Sequence, residues 1–155
     1  MALFLKNLVF TVLVPGMVGG YVPYAIGSRG APVALDAGRL VVAAPLFLIG
    51  AAIYFWCLWD FAVSGRGTPA PIDPPTHLVV RGLYRRVRNP MYVGVLTVVA
   101  GWAVYYRSAR VIEYAITLAV VFHLFVVLLE EPLLRRRFGA AYDEYTRAVR
   151  RWIPR

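Results

Sequence analysis

Apolar and polar positions in this chain fall into long blocks. Residues 7–28, 40–59 and 90–106 carry no formal charge, and residues 111–129 carry only Glu113. Apolar runs of about 20 residues are the length at which a helix crosses the hydrocarbon core of a bilayer. The pattern predicts an all-α fold, a multi-pass membrane helical bundle of about four transmembrane helices, in one domain covering 1–155. Pro15 and Pro23 predict kinks in the first span, which membrane helices tolerate when neighbours satisfy the freed backbone. Beyond residue 129 the period changes. Leu134, Phe138, Ala141, Tyr142, Tyr145, Val149 and Trp152 recur at steps of three and four, so a C-terminal amphipathic helix is expected over 132–151. Pro132 suits its first turn and predicts a bend at Glu130-Glu131, where the fourth span ends. Residues 64–75 hold four prolines and two glycines, which exclude a regular element there.

Composition agrees with the blocks. Apolar residues make up 60% of the chain and charged ones 16%, against about half and a quarter in a soluble domain. The mean hydropathy is +0.63. A net charge of +9 would suggest nucleic acid in a soluble protein, but here the arginines flank the apolar blocks. Five lie between the second and third spans and seven follow the fourth, against two in each of the other connections. Positive segments stay in the cytoplasm. Loop 64–89 and both termini are therefore expected there, with a bacterial inner membrane as the location. The stretch before the first span has only Lys6, and no small-residue cleavage site follows, so that span is expected to be retained.

Several chemistries lack their parts. The single cysteine, Cys57, lies in an apolar run and reads as a small buried hydrophobe; no Cys/His cluster offers a metal site. None of the three serines is beside a histidine or carboxylate, which argues against a hydrolase triad. Gly16, Gly19 and Gly20 fit no phosphate loop and read as close helix contacts. Asp60 is expected at an interface or as an arginine partner, and His123 as a hydrogen-bonded interior residue.

Two segments are chemically rich, and the arginine bias puts them in the same compartment. Residues 76–94 hold His77, Tyr84, Arg88, Asn89, Pro90 and Tyr92; the other segment holds Glu130 and Glu131. Asn89 and Pro90 suit the N-cap and first turn of the third span. Adjacent carboxylates at the end of a membrane helix need water, a cation or donors. They could cap the helix and pair with Arg135, or grip a polar ligand bearing an ammonium or hydroxyls. Tyr84 and Tyr92 could offer ring faces to a cation or anchor the interface.

These residues carry a resemblance. G-x-G-T-P (Gly65, Gly67, Thr68, Pro69), H-L-V-x-x-G-x-Y-x-x-x-R-N-P-M-Y-x-G (His77 to Gly94), E-E-P (Glu130 to Pro132) and F-G-x-x-Y-x-x-Y (Phe138 to Tyr145) are together similar to the integral-membrane methyltransferases. That family groups isoprenylcysteine carboxyl methyltransferase with phosphatidylethanolamine N-methyltransferase. The resemblance implies S-adenosylmethionine as methyl donor, with S-adenosylhomocysteine as product. It implies a donor site at Thr76, His77, Leu78, Val79, Tyr84, Asn89, Pro90, Met91, Tyr92 and Glu131, and a lipid or small amphiphile entering from the bilayer as acceptor. Glu130 is expected to take the proton of an amine nucleophile. Asn89 stands where the prenylcysteine branch has histidine, and Val127 where that branch has a substrate-binding arginine; Asn89 agrees with the phospholipid branch. Two other readings stay open: a sterol-reductase-like enzyme using NADPH, whose 2′-phosphate would suit the arginines, and a non-catalytic membrane scaffold.

Overall fold

The computed structural model describes residues 9, 11–29, 36–65 and 77–154. Their regular structure is helical apart from one isolated bridge between Val87 and Arg150. Val12–Tyr21 is wound as a π-helix and runs directly into α1, Val22–Ser28. A proline ring clashes with the carbonyl four residues back in a tight α-turn. Pro15 lies inside the wider winding and Pro23 in the first turn of α1. The change of winding thus falls between the two prolines expected to kink the span.

Helix α2, Ala37–Asp60, starts ahead of the apolar block because Asp36 caps it. Its carboxylate accepts the Arg39 N–H at 3.1 Å and pairs with Arg39 Nε at 3.0 Å, satisfying an orphan donor of the first turn. A π-turn, Phe61–Gly65, follows. Helix α3, Pro90–Tyr106, begins on Pro90 and ends at Arg107, whose φ of 49° turns the chain left-handed. Helix α4, Ala109–Phe125, passes through a π-segment, Val126–Glu130, into α5, Glu131–Phe138. Pro132 falls in the first turn of α5 as expected, but the helical run is not broken ahead of it. The wide turn before it accommodates the ring, and the interruption comes at Gly139 (φ 52°), ahead of α6, Ala140–Ala148. The expected single C-terminal helix is divided between α5 and α6.

Two of these runs, Ala37–Ser64 and Ala109–Phe138, are long and apolar enough to cross a membrane; Pro90–Tyr106 is apolar but shorter. Their outward faces decide the environment. Val41, Leu48, Ile116 and Leu128 are 73%, 70%, 61% and 64% exposed, where a soluble protein would bury such side chains. This is a membrane-associated protein.

Helices α2 and α3 meet at two glycines. A Cβ on Gly50 would stand 2.7 Å from the Gly94 carbonyl oxygen, and one on Gly94 2.9 Å from that of Gly50. Such small-residue crossings let membrane helices approach to backbone contact. Below the crossing, Tyr54, Val95, Val99, Val111 and Leu118 form the core. Of the N-terminal glycines expected at contacts, Gly19 makes one: Val95 lies 3.3 Å from its would-be Cβ, and its carbonyl accepts Trp102 Nε1–H at 3.1 Å. Gly20 faces open space.

The amphipathic stripe is buried as its period requires. Tyr142, Tyr145 and Val149 pack with Leu78, Leu134 and Phe138, while Ala141 is exposed. The last helix is thereby fixed beside the segment leading into α3.

Candidate functional site

The chain enters the site through Gly82–Arg85, a single 3₁₀ turn. Gly82 has φ 53°, and a side chain on it would collide with the carboxylate of Asp60 and approach Trp56 Nε1 at 2.8 Å. Only glycine meets both demands. Asp60 is 2% exposed and pairs with Arg81 Nε at 3.6 Å, so it is the arginine partner expected of it. The turn buries Tyr84, whose carbonyl accepts the Tyr145 hydroxyl at 2.6 Å. Burial pushes the Tyr84 phenol well above its ordinary value, and that of Tyr145 upward as well. Both stay neutral.

Helix α3 then starts with Asn89 at the N-cap and Pro90 at the first turn, as expected. Asn89 makes no capping bond with its side chain; its amide instead donates to the Arg151 carbonyl at 3.2 Å. One turn into α3, the Tyr92 hydroxyl donates to Glu130 Oε2 at 2.8 Å. That bond joins the two rich segments, 38 residues apart. The Tyr92 ring lies 4.7 Å from Phe122 and 6.3 Å from Trp152 between centroids.

Around this bond lies a cavity of about 100 Å³, within a cleft whose empty space, mouth included, is about 640 Å³. Arg88, Glu130, Asn89, Tyr84 and Tyr92 give it polar groups, and Met91, Val95, Tyr54, Phe61, Phe122, Val14, Pro15 and Val18 close it with apolar ones. A mostly apolar hollow with a few convergent polar groups is the usual form of a small-molecule site. Arg88 adds a specific signal: its Nε is buried without a hydrogen-bond partner, and a buried donor left unmet is costly.

Of the residues expected to form the site, the structure brings Tyr84, Asn89, Met91, Tyr92 and Glu130 to this cavity. Val79 packs with Cys57 and Tyr84 behind it, and Leu78 with the C-terminal tyrosines. Pro90 is buried and His77 is exposed. Thr76, with Gly67, Thr68 and Pro69, lies outside the described residues. Glu131 is buried beside the cavity and holds two arginines: Arg151 donates Nε at 2.6 Å and Nη2 at 3.0 Å, and Arg88 Nη1 stands at 3.2 Å. Arg135, the partner in one of the two readings of the acidic pair, pairs with Asp143 at 2.7 Å. His123 is exposed rather than interior, and accepts the Trp152 indole N–H at 3.1 Å. Among the described residues no three metal-ligating side chains gather.

Sequence reasoning missed the walls supplied by the π-helix and α2, because apolar positions in spans carry no distinguishing mark. It also missed Arg151 and Trp152. They sit at the end of the amphipathic stripe, where the period points to packing but not to a partner.

Fold and site together define a helical membrane protein with a polar cavity at the start of α3. The phospholipid methyltransferase family matches residues 38–141, which include all but the first residue of α2, together with α3, α4 and the acidic pair. The protein belongs to that family and is a membrane methyltransferase. No curated protein and no solved structure matches the chain.

Proposed function

We propose that the protein transfers a methyl group from S-adenosylmethionine to a lipid or small amphiphile at the cytoplasmic face of the membrane. The observation that carries this reading is the shared cavity: Tyr84, Arg88, Asn89, Met91 and Tyr92 from one segment face Glu130 from another across it. Its groups suit the donor. The unmet Arg88 Nε–H matches a carboxylate, and the Tyr92 and Phe122 rings suit a sulfonium. When bound, the donor supplies an activated methyl with a neutral thioether as leaving group.

The protein's part is to align an acceptor with that methyl and exclude water, which is catalysis by proximity. Apolar walls from the π-helix, α2 and α4 serve the exclusion. An ammonium acceptor must lose a proton before its lone pair can attack. Glu130 takes that proton, held in place by the Tyr92 hydroxyl at 2.8 Å. Leu78, Val79, Pro90 and Glu131 support the cavity from behind, and Thr76 and His77 are proposed as further donor-binding residues.

Calorimetry tests the donor. Binding of S-adenosylhomocysteine and not NADPH is expected; tight binding of NADPH alone would leave the reductase reading, and binding of neither the scaffold. Incubation of the purified protein with labelled donor and a total lipid extract, followed by mass spectrometry, identifies the acceptor class. For the membrane face, a cysteine at Thr68 is expected to be labelled from the cytoplasm, and periplasmic labelling would reverse the topology.

A further inference from the structure

The chain leaves α6 extended, with Val149 at φ −121° and ψ 130°, and its next residues touch three residues of the cavity wall, Arg88, Asn89 and Tyr92. Arg150 forms a parallel bridge to Val87, and its carbonyl accepts the Arg88 N–H at 2.9 Å. The Arg151 carbonyl accepts the Asn89 amide at 3.2 Å. The Arg151 guanidinium holds both oxygens of Glu131, at 2.6 and 3.0 Å. Trp152 donates to His123 and lies against Tyr92. Arg88, Asn89 and Tyr92 line the cavity; Arg151 and Glu131 do not.

We infer that Arg151 is a positioning residue of the donor cavity, and that residues 149–152 are a strap that sets Arg88 and Asn89 in the cavity wall. The inference rests on the donor reading given above. Glu131 is 8% exposed and shares its charge between two guanidiniums, Arg88 and Arg151. A buried carboxylate deprived of one partner leans on the other. Without the Arg151 fork, Arg88 is drawn further onto Glu131, and its place in the cavity wall shifts. Lysine cannot replace the fork, because a point ammonium does not hold both carboxylate oxygens. Groups that touch a ligand need such outside support to keep productive geometry.

The test joins one measurement that needs no ligand to one that does. Arg151→Ala is expected to speed amide hydrogen exchange at Arg88 at least tenfold, because its acceptor, the Arg150 carbonyl, is freed. It is expected to weaken S-adenosylhomocysteine binding about tenfold, the size of coupling between contacting charged groups. Arg151→Lys should recover only part of the affinity. Glu131→Gln should weaken binding similarly, and the double variant Glu131→Gln/Arg151→Ala should be no worse than either single one. Faster exchange with unchanged affinity overturns the positioning role, as do unchanged exchange or fully additive losses. A wild-type chain that binds no S-adenosylhomocysteine overturns the donor reading and takes this inference with it.

Discussion

Replacing Tyr92 by phenylalanine removes one oxygen and leaves the ring. The ring keeps its contacts with Phe122 and Trp152, at 4.7 and 6.3 Å, so packing is preserved. What is lost is the 2.8 Å hydrogen bond to Glu130 Oε2, the bond that joins α3 to the end of the fourth apolar run. A hydrogen bond to a charged group contributes about 1.5–3 kcal/mol net. If that sum is felt at the transition state, where Glu130 must point at the acceptor, kcat falls roughly 10- to 150-fold. The assay is transfer of labelled methyl to the lipid acceptor at saturating donor. Melting temperature and S-adenosylhomocysteine affinity are measured in parallel. Affinity should stay near wild type, because Arg88 and Asn89 are untouched, while melting temperature falls modestly with the lost bond. A kcat within about twofold of wild type, under half a kcal/mol, refutes the role given to this bond. A loss that appears only in melting temperature shows the bond to be structural.

Glu130→Gln should lower kcat further than Tyr92→Phe, and with an amine acceptor its activity should climb as pH rises and the amine frees itself of its proton; a pH-independent deficit in the transfer assay would remove the proton-acceptor role. Gly50→Ala puts a methyl 2.7 Å from the Gly94 carbonyl oxygen and 2.9 Å from the Val98 nitrogen, backbone atoms that cannot turn aside. Overpacking of this kind costs about 1–3 kcal/mol, visible as a lower melting temperature in detergent, whereas Gly20→Ala, in open space, should have little effect. Tyr145→Phe orphans the Tyr84 carbonyl now held at 2.6 Å and should cost about 1–3 kcal/mol. Burial raises the Tyr145 phenol above the free value of 10.0, so the folded state holds that proton more tightly than the unfolded one. Stability is therefore intact below pH 10 and falls as pH rises toward the folded value; alkaline melting curves of Tyr145→Phe should be flatter than those of the wild type.

Much of this protein was legible in its sequence because a bilayer asks for a coarse signal. Uncharged blocks of span length announce membrane helices whatever their neighbours, and the run His77 to Gly94 with the Glu130-Glu131-Pro132 triplet pointed to the family. Asn89 and Pro90 at the start of α3 followed from local backbone chemistry alone. The tertiary structure decided what depends on distant partners. Pro132 takes the first-turn place that local rules give it, yet the wide turn of Val126–Glu130 joins its helix to α4 without a break. Nothing in an E-E pair says which member faces the cavity. Helical geometry turns adjacent residues about 100° apart, so Glu130 meets Tyr92 while Glu131 meets Arg88 and Arg151. The choice between them belongs to the packing of α3 and the C-terminal strap, which no local pattern encodes.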